Sequence, residues 1–458
     1  MPTDASVDRG LTSPVSVGTA DAVGDQVVLD ALVAAEIALT RAWAALDAVP
    51  SGVADRVADR LGWGGAGQVA SGHGVDVDDI AEAAVGGGNP VIPLVGRLRA
   101  LLDAPDREWL HRGATSQDIL DSALMLVARR AAARILDELN GVDAALATFA
   151  RAERDRVAAA RTLGQHAVPT TMGMRGATWL VAVRRARHRL DAALTQLPAQ
   201  LGGAAGTLAA FVEHARAAQA AAAEVAALRL VAAYARELGL VAPDVPWHTV
   251  RWPVTELGDA LVQVVDALGV IAADVATLAR TEIGELAESA PGGSSAMPQK
   301  RNPVAAVLIR SAAMRAPQLG ATLHAAAALA VDERPDGAWH AEWSTLRELL
   351  RLALGTARTA QRLTAGLAVD GEAVDRSLAL SGGLLVAERL GIALAPILGA
   401  DRARTLLGSA VDAADLERLL RAEPALASVD LDALLDPRAY LGATGLMIDR
   451  VLEGDADA

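Results

Sequence analysis

Three stretches of this 458-residue chain, 119–160, 177–238 and 256–329, repeat apolar residues at the spacing of one helix face. In the first, Ile119, Leu120, Ala123, Leu124 and Val127 recur three and four residues apart; in the third, Leu257, Leu261, Val264, Leu268, Ile271 and Val275 do so. A helix over 256–290 alone would span about 50 Å at 1.5 Å per residue. No stretch sustains the alternation of a half-buried strand, and alanine, leucine, valine and arginine dominate, which favours helix. The expected fold is all-α with a long central helix bundle. Helices this apolar usually bury part of their surface against other subunits, so an oligomer is expected.

Around these stretches the pattern breaks into shorter pieces. Residues 1–26 are rich in Gly, Ser, Thr and Asp and read as an irregular arm, followed by a helix over 27–49. Short helices are expected over 51–84, interrupted by glycines around 64–74, and a sharp Gly-Gly-Gly-Asn-Pro loop ends at Pro90 before a helix over 94–102. Residues 162–171 interrupt the helical pattern. Residues 202–207 form a small-residue turn, 243–253 a connector with Trp247, His248 and Trp252, and 332–343 an irregular polar interval. Helix returns over 344–366, and the tail contains shorter helices.

Charge and composition exclude several functions. The net charge of −14 and pI of about 5.1 disfavour nucleic acid and anionic membrane as partners. With no cysteine there is no disulfide and no thiol catalysis. No uncharged apolar run approaches a membrane span, the polar amino terminus has no hydrophobic targeting core, and a cytoplasmic location is expected. His248 and His340 lack neighbours at metal-ligand spacing, so neither metal nor cofactor is expected.

Chemistry concentrates in one loop, Gly292-Gly293-Ser294-Ser295-Ala296-Met297-Pro298-Gln299-Lys300-Arg301-Asn302-Pro303. Lys300 is the only lysine, the other 41 of 42 basic residues being arginine, and Asn302 is one of three asparagines. Nucleotide composition accounts for some of that bias. Yet a compact, mobile ammonium kept against it marks a site where a planar guanidinium would fail. Asn302 before Pro303 also suits a turn. Upstream, His111-Arg112-Gly113-Ala114-Thr115-Ser116-Gln117-Asp118 opens a helix. Thr115 and Asp118 have capping-box spacing, and the turn offers free N–H groups suited to an anion. The Trp339, His340, Glu342 and Trp343 cluster reads as packing, and Arg310 and Arg315 as exposed or intersubunit helix positions.

The string from Ser294 to Asn302 resembles the signature of the fumarase/aspartase superfamily, as do His111 with Thr115-Ser116-Gln117-Asp118 and Gln165-His166-Ala167. The resemblance covers nearly the whole chain. Within the superfamily it is most similar to the bacterial 3-carboxy-cis,cis-muconate cycloisomerases. The carrying stretches are Gly88-Asn89-Pro90-Val91-Ile92-Pro93, Leu201-Gly202-Gly203-Ala204-Ala205-Gly206-Thr207, Trp339-His340-Ala341-Glu342-Trp343 and Tyr440-Leu441-Gly442-Ala443. This implies a three-domain subunit, divided at 1–112, 113–360 and 361–458, in a homotetramer whose active sites combine loops from three subunits. It further implies a small tricarboxylate substrate closed to 4-carboxymuconolactone in aromatic-acid breakdown by the protocatechuate, β-ketoadipate route. Ser294 would be the proton donor, with Lys300 and His166 as catalytic partners. His111, Thr115, Ser116, Gln165, Ser295, Met297, Arg301 and Asn302 would bind substrate.

One departure bears on the reaction. Elimination members place a histidine before the Gln of the second motif, where it helps protonate the leaving group. Here Thr162-Leu163-Gly164-Gln165 has leucine, where the cycloisomerases usually place tryptophan. Ring closure uses a carboxylate already within the substrate and needs no such acid. A fumarate-releasing lyase of the adenylosuccinate type is the alternative that Leu163 opposes. A non-catalytic oligomer is the one opposed by Ser294, Lys300 and Asn302.

Overall fold

The computed structural model describes residues 10–293, 296–381 and 383–454. The fold is all-α in class: long helices dominate, and the strands among the described residues form two two-stranded sheets. The longest helices are Ser116–Ala152, Trp252–Leu278, Val304–Ala328 and Gly337–Ala365. In Trp252–Leu278 the apolar stripe of Leu257, Leu261, Val264, Leu268 and Val275 is fully buried, at roughly 1.5–3 kcal/mol for each side chain taken from water. By length and composition that helix could cross a membrane, but its burial is that of a core helix. Asp274 on it accepts a 2.8 Å hydrogen bond from Trp179 Nε1.

Helical spacing overran the helices in several places. The first long stretch ends at Ala152, and residues 157–171 form an antiparallel hairpin of β1 (Val157–Thr162) and β2 (Gln165–Thr171). The β1 run Val-Ala-Ala-Ala-Arg-Thr has no alternation, because alanine reads equally as helix. The hairpin turns on Leu163 and Gly164, both at positive φ (51° and 82°), the twist that suits a two-residue connection. The stretch 177–238 resolves into helices Met172–Thr195, Ala209–Ala217 and Ala223–Leu238. The expected helix over 256–290 stops at Leu278, and β3 (Leu286–Glu288) pairs antiparallel with β4 (Leu367–Val369). Conversely, Trp339 to Trp343 already lie on the helix Gly337–Ala365 rather than in an irregular interval.

The chain divides into two compact units. One comprises the described residues of Met1–Glu138, Ala186–Asp266 and Ser311–Arg358; the other those of Leu139–Arg185, Ala267–Arg310 and Thr359–Ala458. In the first, the helix Asp25–Ala44 is buried along most of its length and packs on Ala223–Leu238. In the second, Val386, Leu390, Leu394, Leu416, Leu420 and Leu426 form a core of their own in the tail.

The arm is less irregular than its composition suggests. Pro14–Ser16 is a turn of 3-10 helix, Ala20–Val23 a short helix, and Val15 and Ser16 are buried. Gly355 makes the contact possible: a Cβ there would stand 2.0 Å from the Val15 carbonyl oxygen. Gly355→Ala is therefore expected to overpack this contact by about 1–3 kcal/mol. Thermal unfolding should begin earlier and proteolytic cleavage within residues 10–24 should quicken. Unchanged values in both assays would show that the arm is not held there.

Candidate active site

The turn 113–118 is held by a carboxylate. Asp118, fully buried in the first turn of Ser116–Ala152, accepts from the Thr115 N–H at 3.0 Å, half of the expected capping box. It also accepts from the N–H groups of Gly202 and Gly203 at 2.7 and 3.0 Å, and pairs with His248 Nε2 at 3.0 Å. One side chain thus fixes two small-residue loops. Gly202 is required for the approach, since a Cβ there would lie 2.8 Å from His248 Cε1 and from Pro246.

One turn further on, Asp121 anchors a second buried group. Arg251 donates to Asp121 at 2.7 and 3.0 Å and to Glu342 at 2.6 Å, and its guanidinium lies 4.6 Å from the Trp247 ring centre. Trp339 Nε1 donates to Asp121 at 2.9 Å. Burial alone would lower the Arg251 pKa, but Asp121 and Glu342 outweigh it and raise it. Burial raises that of Glu342 against the opposing pull of Arg251. The Trp339–Glu342 segment is therefore structural packing with a charge at its centre.

His111, at φ 59°, places Nδ1 2.7 Å from the Glu36 carboxylate, which is fully buried. Burial would depress the imidazole pKa, but the Glu36 charge prevails and raises it above the ordinary 6.5. The half-buried Thr115 receives a hydrogen bond from Arg334, whose Nη2 lies 2.5 Å from Thr115 Oγ1 and 3.1 Å from the Ala204 carbonyl. Ser116 begins the helix. Arg334 was not singled out from the sequence. It is one of 41 arginines, and only the fold puts it beside Thr115.

In the second unit, Gln165 and His166 open β2. They line a cavity of about 590 Å³ with Arg161, Ser381 and Asp412. Arg161 Nη2 lies 2.5 Å from buried Glu285. His166 Nδ1 lies 2.7 Å from Ser381 Oγ. Burial first, then the Arg161 charge, lowers the His166 pKa, so the ring is neutral at pH 7. Leu163 stands fully exposed at the hairpin tip.

The lysine loop lies between β3 and the helix Val304–Ala328. Its neck is closed by a pair of backbone hydrogen bonds between Gly292 and Asn302, at 2.9 and 2.8 Å. Glu288 of β3 accepts from Ala305 N and Ala306 N at 3.1 and 2.9 Å, capping the helix that leaves the loop. Asn302 is half-buried and shapes this neck through its backbone, while Met297, Lys300 and Arg301 are exposed. Ser294 and Ser295 lie outside the described residues. Thus His111, Thr115 and Ser116 belong to the first unit; Gln165, His166, Met297, Lys300, Arg301 and Asn302 belong to the second. Among the described residues no group of three or more His, Asp or Glu side chains is placed to hold a metal ion.

A family model described as Lyase matches residues 21–317. The chain belongs to this fumarase/aspartase superfamily. A nitrosuccinate lyase of Streptomyces davaonensis is 46% identical over 98% of this chain and 96% of its own. A 3-carboxy-cis,cis-muconate cycloisomerase of Pseudomonas aeruginosa is 42% identical over 81% of this chain and 82% of its own. Among solved structures, the 3-carboxy-cis,cis-muconate lactonizing enzyme of Pseudomonas putida superposes with a TM-score of 0.82 at 35% identity, covering 96% of both chains. The fumarate lyase of a Mesorhizobium species gives 0.81 at 31% identity, covering 96% of this chain and 97% of that one. The protein is an enzyme of this lyase and cycloisomerase class.

Two outcomes test the geometry of the first unit. Asp118→Asn replaces an acceptor oxygen with an NH₂ group and strands buried N–H donors, a loss on the order of 3 kcal/mol. It should lower the thermal midpoint and weaken substrate binding; a variant matching the parent in both would dismiss Asp118 as the clamp. Glu36→Gln should lower the His111 pKa, read by NMR titration. Because the folded value is raised, the pair's contribution to stability is complete below pH 6.5 and is lost as pH climbs through the folded value. That pH-dependent loss should vanish in Glu36→Gln.

Proposed function

We propose that the protein is a 3-carboxy-cis,cis-muconate cycloisomerase, adding one substrate carboxylate across a double bond to give 4-carboxymuconolactone. The observation that carries this reading against a lyase whose leaving group must be protonated is Leu163. It occupies, at the exposed tip of the β1–β2 hairpin, the place where elimination members hold a proton-donating histidine. An intramolecular carboxylate attacks, and in reverse departs, as a weakly basic anion that needs no acid. Amine release of the adenylosuccinate type would need one. The cycloisomerase relatives and the lactonizing-enzyme neighbour support the same reading.

As the lactone forms, negative charge develops on the carbon beside a second carboxylate, giving an enolate-like species. Stabilising it takes cations and N–H dipoles fixed around that group, plus one proton donor. Ser294 is the proposed donor, acting as alkoxide base in reverse, with the Lys300 ammonium and loop amides lowering its pKa. Lys300 and Asn302 would hold one carboxylate, with Ser295, Met297 and Arg301 completing the loop's contacts. His111, Thr115 and Ser116 would hold another, with Arg334 adding a cation at Thr115. Gln165 and His166 would orient the substrate. The assembly we propose is a cytoplasmic homotetramer, its sites completed by loops of neighbouring subunits.

A second reading has its own support in the nitrosuccinate lyase relative, which is alike along almost the whole chain. Nitrite, like a carboxylate, is a weak base and can leave without protonation, so Leu163 fits that elimination equally well. Purified enzyme offered the two substrates separately decides between them. Loss of the conjugated absorbance of 3-carboxymuconate without nitrite release from nitrosuccinate is expected, and the reverse result would replace the first reading with the second. Ser294→Ala should lower kcat by roughly 10²–10⁴-fold. Lys300→Arg should lower kcat/KM by at least about tenfold; full activity would show that the lone lysine is dispensable.

A further inference from the structure

The contact between His166 and Ser381 joins the second motif to the segment that follows the helix Gly371–Ala379. Ser381 follows the helix Gly371–Ala379, 215 residues beyond His166, yet its hydroxyl lies 2.7 Å from Nδ1. Both side chains line the same cavity. The charged groups facing the imidazole are Arg161 of β1, Glu285 paired with Arg161, and Asp412 across the cavity. Arg161 is already bound to Glu285 at 2.5 and 3.2 Å, and that carboxylate offsets part of the cation's effect on the imidazole.

A neutral imidazole has one N–H and one lone pair, and the partner of one nitrogen fixes the role of the other. Ser381 Oγ has one hydrogen to give, and among the described residues Nδ1 is its only acceptor. Nε2 has no partner among the described residues. If Nδ1 carried the proton, Nε2 would offer a lone pair, which repels an incoming carboxylate. If Ser381 donates to Nδ1, Nε2 carries the proton and can donate to that carboxylate.

We propose that Ser381 is a positioning residue that locks His166 in its Nε2–H tautomer, making it a neutral hydrogen-bond donor to a substrate carboxylate rather than a proton-transfer group. The donor role rests on the placement of His166 in the active site argued above; the tautomer does not.

The test uses full-length enzyme labelled with 15N-histidine, the His166 signals being assigned by their loss in His166→Gln. In the parent at pH 7.5, Nδ1 should resonate as an unprotonated nitrogen and Nε2 as a protonated one. Ser381→Ala should shift both signals toward a tautomer mixture and lower kcat/KM for the turned-over substrate about tenfold. Ser381→Thr, which keeps the hydroxyl, should restore both. Because His166 stays neutral, its two 15N signals in the parent should hold their positions from pH 7 to 9. A protonated Nδ1 in the parent, or signals unmoved in Ser381→Ala, would overturn the proposal. Signals that move while Ser381→Ala and His166→Gln keep parental kcat/KM would instead overturn the placement of His166 in the site and leave the tautomer lock standing.

Discussion

A carboxylate without access to water must find its hydrogen bonds inside the protein, and Asp118 finds four. Its oxygens accept from Thr115, Gly202, Gly203 and His248. A charge-assisted bond of this kind is worth more than a neutral one, and a donor left without its acceptor is costly. Two loops of small residues are thereby tied to one buried side chain. One turn along the same helix, Asp121 does similar work for Arg251 and Trp339. Buried as they are, these charges are tolerable only through their mutual satisfaction.

The second unit solves a different problem with the same means. A glycine-rich loop with little apolar surface must still begin and end at defined points. The backbone pair between Gly292 and Asn302 ties the ends, and Glu288 caps the following helix. Lys300 is exposed within the tied loop. The β1–β2 hairpin is its counterpart, carrying Leu163 at its tip and Gln165 and His166 directly after the turn.

The candidate site is legible in the sequence because it falls on rare residues. A lone lysine and two of three asparagines fell in loops, and the resemblance tied them to a reaction class. The long helices were equally legible, since apolar residues three and four apart dominate them. What failed was the end of each pattern. Alanine fits a helix and a strand alike, so its spacing carries the helical pattern into β1, and the polar residues from Asp332 hide the helix that contains Trp339 to Trp343. Asp118 was read as a cap and proved also to be a clamp, because its other partners lie 84 to 130 residues away. Arg334 and Ser381 had no signal of their own, an arginine among many and a serine in a tail.

The sequence by itself determined the helical class, the superfamily, the loop that holds the lone lysine and the leucine at position 163. Those depend on local composition and spacing, which a linear chain displays directly. The tertiary structure alone decided that Asp118 holds two loops, that Glu288 caps the helix after the lysine loop, and that Ser381 meets His166. Each is a pairing of ordinary residues across long sequence separation. Folding must first bring the partners within hydrogen-bond reach, and burial then makes leaving them unpaired expensive.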